Sequence, residues 1–447
     1  MALMKYTWNP TIDIQSREDT YLFINPEHGT WLKSKTKTKL LLEDMISGRN
    51  RNDISEHTKY SILQRFIESG MIIRDGQVMS TRSKKDIKSV YLVVTKTCNL
   101  SCDFCSMGST PAKYDQLSTE EVKTAIDRLK DYYIGRIVIT GGEPFSRRDI
   151  LELVDYIHEK LSCKIVICTN GLLLNAEKIQ QLSGKVSRID MSAENIFSSV
   201  NKYDVHKLSN LIQNLRQHNI SLCLSYVLTK QNQTHVFAFL DFIELTNTIF
   251  SLKIVGPIGN ARAHKHLFFS SDSLTEAYSV IFRYIYRMGY QSEPFKRFLI
   301  QNLVPSYGCS ARNKMLSIHV DKNVYSCHSL TTPEFSVGNI MEDTIDRILK
   351  QSSSKADSLF YKQSFEIDQR TVCADCNVRY FCQGSCYAEM YNNERRKGIL
   401  PPECGIKKAV LIFNIWHYDH KQSFLDNLKV FIDLLESTKK QKNEVMR

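Results

Sequence analysis

Cys98, Cys102 and Cys105 are separated by three and then two residues, in the run Thr95-Lys96-Thr97-Cys98-Asn99-Leu100-Ser101-Cys102-Asp103-Phe104-Cys105. Three thiolates at that spacing can hold three corners of a cubane iron-sulfur cluster and leave the fourth iron without a protein ligand. An open iron is a place where a small molecule can bind. A structural zinc would ask for a fourth ligand close by, and none is evident here. A second chemical signal is Gly141-Gly142-Glu143-Pro144. Its glycines let a backbone come close to a ligand, and Glu143 adds an acceptor for an ammonium group.

Seven further cysteines lie toward the C-terminus: Cys309, Cys327, Cys373, Cys376, Cys382, Cys386 and Cys404. Four of them form the block Cys373-x2-Cys376-x5-Cys382-x3-Cys386, with Cys404 eighteen positions on. Cys-x2-Cys is also zinc spacing, so cysteine-ligated zinc is the alternative to iron-sulfur chemistry in this region. Cys163, Cys168 and Cys223 complete the thirteen and lie in or beside strand-like segments. Buried structural cysteine is the ordinary state of such residues. Ser221, Cys223 and Ser225 nevertheless alternate onto one strand face.

These residues need a scaffold, and the pattern around them is one of alternating strands and helices. Candidate strands are Val90 to Val94, Arg136 to Thr140, Lys164 to Thr169, Arg188 to Ser192, Ser221 to Leu228 and Leu252 to Val255. Helical periodicity separates most of them, as in Thr119 to Lys130 and Asp149 to Leu161. Repeated strand-helix units predict an α/β fold with a parallel sheet, flat or closed, and chemistry at the C-terminal ends of its strands. Both signals above sit at such ends, the cysteines after the first strand and Gly141 to Pro144 after the second.

Residues 5 to 80 read as a separate first unit. A hairpin is expected around Tyr21, Phe23, Trp31 and Leu32, with Asn25-Pro26-Glu27-His28-Gly29 as its turn. Helices follow over Thr38 to Ser47 and Tyr60 to Ser69, and Met71-Ile72-Ile73 before Asp75-Gly76 suggests a short wing. Small winged α+β units bind peptides or DNA, so this fold alone does not decide function. After about residue 300 periodicity weakens, until Ala409 to Leu435 reads as one or two closing helices.

With 447 residues, two or three domains are expected. Hydrophobic residues make up 42% and charged residues 24%, the range of globular proteins. There is no apolar run of the roughly 18 residues that spans a bilayer and no secretory h-region, which predicts a cytoplasmic protein without a membrane partner. Clustered cysteines in such a chain are more often metal ligands than disulfides. The formal net charge of +11 favours acidic partners: nucleic acid, an acidic peptide or an acidic electron-transfer protein. The short basic runs, Lys33, Lys35, Lys37 and Lys39, then Arg82, Lys84, Lys85 and Lys88, read first as solvated faces.

Cys98-x3-Cys102-x2-Cys105 after the first strand, with Gly141-Gly142-Glu143-Pro144 after the second, resembles the signature of the radical S-adenosylmethionine (SAM) superfamily. The resemblance implies a partial (β/α)6 TIM-like barrel over 88–262 and a 4Fe-4S cluster on Cys98, Cys102 and Cys105. It implies that the open iron chelates SAM, whose cleavage gives a 5′-deoxyadenosyl radical that abstracts hydrogen from substrate. SAM contacts are then expected at Gly141, Gly142, Glu143 and Pro144, at Asn170 in Thr169-Asn170-Gly171, and at Ser192. Pro257-Ile258-Gly259 ends the sixth strand in keeping with the family. The fourth strand departs from it, reading Ile189-Asp190-Met191-Ser192-Ala193-Glu194 where many relatives have Ser-Leu-Asp-Gly.

The C-terminal cysteines resemble a SPASM domain over 300–447, which carries two auxiliary iron-sulfur clusters. By that resemblance Cys373, Cys376, Cys382 and Cys404 bind one cluster, and Cys309, Cys327 and Cys386 bind the other. The second set has no fourth cysteine, and Asp321-Lys322-Asn323 replaces the usual aspartate-glycine turn. His328 follows Cys327 where some relatives carry an acidic base, and Cys223 could give a hydrogen atom to a substrate radical; these are the expected catalytic residues. Residues 5–80 resemble the PqqD-like elements that capture the leader of a ribosomally made precursor by strand addition. The leading expectation is therefore a maturase of ribosomal precursor peptides that forms a crosslink or thioether or inverts an α-carbon, supplied with electrons by a flavodoxin- or ferredoxin-type donor. A protein-modifying dehydrogenase of the sulfatase-maturation type is the second reading. A DNA-binding iron-sulfur redox regulator is the third, and it leaves Gly141 to Pro144 unexplained.

Overall fold

The computed structural model describes residues 5–49, 53–76, 86–197, 205–309, 311, 315–358, 366–370, 372–392 and 401–445. The chain divides into two units. The first joins residues 1–84 with 302–309 and 363–384, and the second joins 85–301, 310–362 and 385–447. The cysteine-rich region expected over 300–447 is thus shared out between them.

In the first unit, β2 (Asp13–Arg17), β3 (Thr20–Asn25) and β4 (Thr30–Lys35) form an antiparallel meander. The hairpin expected at Tyr21 to Leu32 is β3–β4. Its turn is built by Asn25, which is fully buried, accepts from Glu27 N and His28 N at 3.1 Å each, and donates to Gly70 O at 2.7 Å. Two helices follow, Thr36–Ile46 and Glu56–Glu68, the second capped by Ser55 Oγ accepting from Thr58 N. Where a wing was expected, β5 (Ile72–Arg74) pairs antiparallel with β1 (Tyr6–Trp8). Arg82, Lys84 and Lys85 lie outside the described residues. Phe23, Leu42, Leu63, Phe66, Met71 and Ile72 form the core of this unit. Trp31 binds the 302–309 and 363–384 segments to it, donating from Nε1 to Leu303 O at 2.9 Å and meeting the edge of Phe381.

In the second unit, β6 (Asp86–Ile87) and β8 (Tyr133–Ile134) make a short parallel pair beside a nine-stranded sheet. The sheet contains β7 (Ser89–Thr95), β9 (Arg136–Gly141), β10 (Lys164–Thr169), β11 (Val186–Ser192), β12 (Ser221–Leu228) and β13 (Ile249–Ile254), and each of the six strands expected from the sequence lies among them. It continues through β14 (Met315–Ile318), β15 (Asn323–Tyr325) and β16 (Ser336–Asn339), in the order 13-12-11-10-9-7-14-15-16. Neighbours from β13 to β14 are parallel, while β14–β15 and β15–β16 are antiparallel, so the sheet is mixed. Alternation decides its faces. Val90, Leu92, Ile137, Ile139, Ile165, Ile167, Ile189, Leu222 and Leu224 all face the helices and belong to one buried core. At the end of the chain, the helix Cys404–Ile412 passes through a π-turn at Phe413–His417 into the helix Phe424–Val445. Among the described residues, no helix is long and apolar enough to cross a membrane.

Candidate functional site

The loop after β7 is closed by a buried arginine. Arg147 Nη1 donates to Val94 O at 2.9 Å and to Leu117 O, the residues on either side of the loop, and Nη2 pairs with Asp149 at 2.6 Å. Burial would raise the Asp149 carboxyl, yet the Arg147 and Thr119 hydrogen bonds hold it below its ordinary value. Within the loop, Cys98 N donates to Thr110 O, Cys105 N to Cys102 O, and Thr97 Oγ1 to Lys113 O at 2.6 Å. From the end of β13, Asn260 braces it, donating from its backbone to Cys105 O at 2.9 Å and from Nδ2 to Cys102 O at 3.2 Å. Gly259 allows that approach, because a Cβ there would stand 2.2 Å from Cys105 O.

Each sulfur of the trio accepts an N–H. Leu100 N reaches Cys98 Sγ and Ser109 N reaches Cys105 Sγ, both at 3.4 Å. Asn195 Nδ2 reaches Cys102 Sγ at 3.8 Å, and Asn170 Nδ2 reaches Cys98 Sγ at 3.9 Å. Burial lifts the Cys98 thiol above its ordinary value and pushes Cys102 up to about 11, and Cys105 beside both raises them further. A bound cation would reverse that penalty, since the thiolate is the ligand form. The three thiols share one loop and each faces an N–H donor, a donor chemistry that suits an iron-sulfur cluster, although among the described residues no three such side chains already stand gathered to hold a metal ion.

Gly141 and Gly142 are pressed against this loop. A Cβ on Gly141 (φ +144°) would lie 2.2 Å from Thr95 O, and one on Gly142 would lie 2.1 Å from Thr97 O. Gly142 N donates to Thr95 O and Glu143 N to Thr97 O. The glycines therefore serve a close approach between two stretches of this backbone. Glu143, expected to receive an ammonium, is fully buried, and its carboxylate accepts from Thr169 Oγ1 and Asn170 N at 2.8 Å each and from Phe145 N at 3.1 Å. Protein donors thus occupy it and clamp the turn to the end of β10. Pro144 opens a buried 3-10 turn behind it. Asn170 also stays within the protein, donating to Asn99 Oδ1 at 2.7 Å as well as to Cys98. Asn99, Asn195 and Asn260 were not singled out by the sequence reading. Asparagine in a loop reads as a turn residue, and only position relative to the thiols distinguishes these three.

The sheet face opposite the helices is polar at its centre. Strand register sets Cys168 beside Asp190 and Asp190 beside Cys223, then Ser192 beside Ser225 and Ser225 beside Ser251. Arg188 Nε lies 2.7 Å from Asp190 Oδ1. Burial, then Asp190, pushes the Cys168 thiol up to about 11, and the same two causes raise Cys223. Cys163 instead packs partly buried against the main core.

β14 lies parallel to β7, and β15 leads into the turn that holds Cys327 and His328. His328 stacks on Tyr91 of β7 at 4.5 Å and 18° between planes. Burial, then the charge of Lys253, brings its imidazole down to about 4, so it is neutral at neutral pH. Among the described residues its Nδ1 has no hydrogen-bond partner. Cys386 is raised to about 12 by burial, then by Glu389, with a further contribution from Cys327. Cys404 opens the helix Cys404–Ile412. Cys309, Cys373, Cys376 and Cys382 belong to the first unit. There, burial raises Cys373 above its ordinary value, Arg370 lowers it, and Cys382 and Cys376 add to the rise.

Residues 92–243 match the family model of the radical SAM superfamily, and residues 309–377 match that of the SPASM iron-sulfur cluster-binding domain. The antilisterial bacteriocin subtilosin biosynthesis protein AlbA of Bacillus subtilis is 25% identical over 325 residues, 68% of this chain and 69% of AlbA. Further curated relatives, including an Fe-coproporphyrin III synthase of Methanosarcina barkeri 32% identical over 36% of this chain, are spanned over only 33% to 55% of their own length. Among solved structures, anSMEcpe with bound AdoMet and Cp18Cys peptide superposes with a TM-score of 0.57 at 14% identity, covering 78% of this chain and 99% of that one. Streptococcus suis SuiB bound to its precursor peptide SuiA superposes at 0.54 and 16% identity, covering 89% and 99%. At these identities the likeness is one of fold. The chain carries a radical SAM domain followed by a SPASM region on an α/β fold, and it is an enzyme of oxidoreductase type with iron-sulfur and SAM binding.

Proposed function

We propose that this enzyme matures a ribosomal precursor peptide. The observation that carries the reading is the trio Cys98, Cys102 and Cys105, each sulfur facing an N–H, on a loop braced by Gly141 to Glu143. Bound there, a 4Fe-4S cluster with SAM supplies a reductively generated radical that abstracts hydrogen from substrate. The chain's own residues hold and screen that centre. Arg147 and Asn260 fix the loop, Asn170 and Asn195 direct N–H groups at two sulfurs, and Glu143 ties the glycine turn to β10. Gly141, Gly142, Pro144, Asn170 and Ser192 are the residues we assign to the neighbourhood of SAM.

Cys373, Cys376, Cys382 and Cys404 are assigned to one auxiliary cluster and Cys309, Cys327 and Cys386 to the other. His328 is assigned as proton acceptor, its unpartnered Nδ1 supporting that role. Cys223 is assigned as hydrogen donor; burial and Asp190 keep it as the thiol, the form that has a hydrogen to give. Residues 5–80 are assigned to leader recognition, with β2 and β4 as the outer strands of a meander to which a peptide strand can add. A flavodoxin- or ferredoxin-type protein is the proposed electron donor, in keeping with the net charge of +11. AlbA supports the peptide substrate by its name, and the anSMEcpe and SuiB structures support it by the peptides they hold.

The test is coexpression with small open reading frames encoded beside the gene, followed by mass spectrometry of each product. A mass loss in one of them, abolished by changing Cys98, Cys102 and Cys105 to Ala, is the expected result. A wild-type protein that forms no 5′-deoxyadenosine from SAM under reduction, or a triple variant that still forms it, would overturn the assignment.

A further inference from the structure

The turn that carries Cys105 also holds a hydroxyl that the protein itself does not use. Ser109 is 1% exposed, and among the described residues its Oγ has no hydrogen-bond partner. The carbonyls around it are engaged by other donors. Cys105 O accepts from Gly108 N and Asn260 N, and Thr110 O accepts from Cys98 N and Lys113 N. Met107 O and Gly108 O accept from the ammonium groups of Lys96 and Lys113. These bonds fix the turn, so its backbone is not free to bring an acceptor to the hydroxyl. Covalent geometry sets where that hydroxyl lies. The N–H of the same residue meets Cys105 Sγ at 3.4 Å, and a serine Oγ stays within about 4 Å of its own nitrogen in any rotamer. Cys98 and Cys102 each receive a side-chain amide, from Asn170 and Asn195, whereas Cys105 receives only this backbone N–H among the described residues. Ser109 is the polar side chain at the third corner. A buried hydroxyl without a partner is a costly exception, and this one stands beside a residue whose role is to bind something else.

We propose that Ser109 Oγ–H donates to a sulfur of the iron-sulfur cluster held by Cys105, and so raises the potential at which that cluster accepts its electron. A hydrogen bond to sulfur favours the reduced, more negative cluster. The inference rests on the assignment of a cluster to Cys98, Cys102 and Cys105 and adds to it a residue that tunes the cluster. SAM's carboxylate is the other acceptor of suitable chemistry, and the experiment separates the two.

Wild type, Ser109→Ala and Ser109→Thr, the last keeping the hydroxyl, are reconstituted as full-length proteins. EPR-monitored redox titration without SAM reads the first cluster, whose signal is identified by its absence when Cys98, Cys102 and Cys105 are changed to Ala. Ser109→Ala should lower the ratio of reduced to oxidised cluster at a given potential about threefold to tenfold, a midpoint lower by about 30–60 mV, while the auxiliary clusters keep theirs. Ser109→Thr should restore the wild-type midpoint. ENDOR of wild type exchanged into D2O should show a coupled deuteron that Ser109→Ala lacks. Because no described protein group accepts from the hydroxyl, urea unfolding of cluster-free Ser109→Ala should match wild type. A less stable cluster-free Ser109→Ala would show that the hydroxyl serves the fold itself and would overturn the proposal, as would an unchanged midpoint in that variant. A shift that appears only when SAM is added would assign the hydroxyl to SAM's carboxylate and overturn it too. Wild type without any signal dependent on the three cysteines would instead sink the cluster assignment beneath it.

Discussion

Gly142→Ala tests whether the glycine turn exists to approach the cysteine loop. The new Cβ would lie 2.1 Å from Thr97 O, 2.6 Å from Thr97 C and 2.9 Å from Lys96 O, where ordinary contact begins at 3.4 Å. All three neighbours are backbone, so no side chain can swing aside. The turn and the loop must separate by more than about 1 Å, a shift large enough to break close-packed contacts. Such a shift breaks Gly142 N→Thr95 O at 2.7 Å and Glu143 N→Thr97 O at 2.8 Å. Leaving a buried hydrogen bond unmade costs about 1–3 kcal/mol, so the pair amounts to about 2–6 kcal/mol. That is a large fraction of the roughly 5–15 kcal/mol that holds a domain folded. Gly184→Ala is the control, because it too departs from glycine, at φ +74°, but has nothing within 4 Å of a Cβ. Strain alone should cost it about 1–2 kcal/mol. Urea unfolding of the cluster-free proteins measures both, and iron analysis after reconstitution should show Gly142→Ala deficient at the first cluster, since Thr97 directly precedes Cys98. Equal destabilisation of the two variants, with full iron in each, would refute the reasoning.

Asn195→Ala removes the N–H directed at Cys102 Sγ and should lower the midpoint potential of the first cluster, because hydrogen bonds to sulfur favour the reduced, more negative state; an unchanged potential in an EPR-monitored titration would count against that contact. His319 is buried and lowered from 6.5 to about 4, by burial first and Lys96 second. The unfolded chain therefore takes up a proton that the folded one refuses as pH falls from about 6.5 to about 4, and roughly 3 kcal/mol present above that window is lost across it. His319→Gln should flatten urea midpoints measured between pH 7 and pH 4.5, and an unaltered slope would remove His319 as the cause. His328→Ala should reduce modified peptide per SAM cleaved by about 100-fold if the imidazole accepts the proton; wild-type coupling, read by mass spectrometry against 5′-deoxyadenosine, would leave that acceptor unassigned.

The cysteine spacing and the Gly-Gly-Glu-Pro turn were legible because their chemistry is local: each depends on a few consecutive residues at the end of one strand. The same holds for the alternation of Ile137, Ile139, Ile165 and Ile167, which announces a sheet covered by helices before any contact is known. Long-range pairing was not legible. Nothing in Met315–Ile318 says that it lies parallel to β7, yet that pairing brings His328 onto Tyr91. Nor does the sequence show that residues 302–309 and 363–384 pack with the N-terminal unit, which depends on Trp31 reaching Leu303 across more than 270 positions. Glu143 makes the same point within a motif. Its residue type suggests a ligand acceptor, while its three protein donors come from Phe145 close by and from Thr169 and Asn170 on the next strand. Sequence determined which side chains could do chemistry and on which elements they ride, because spacing and periodicity are properties of neighbours along the chain. Only the tertiary structure decided which of those side chains are occupied by the protein, as Glu143 is, and which, like His328 at Nδ1, find no partner among the described residues, because hydrogen-bond saturation depends on residues that the fold brings together from far apart.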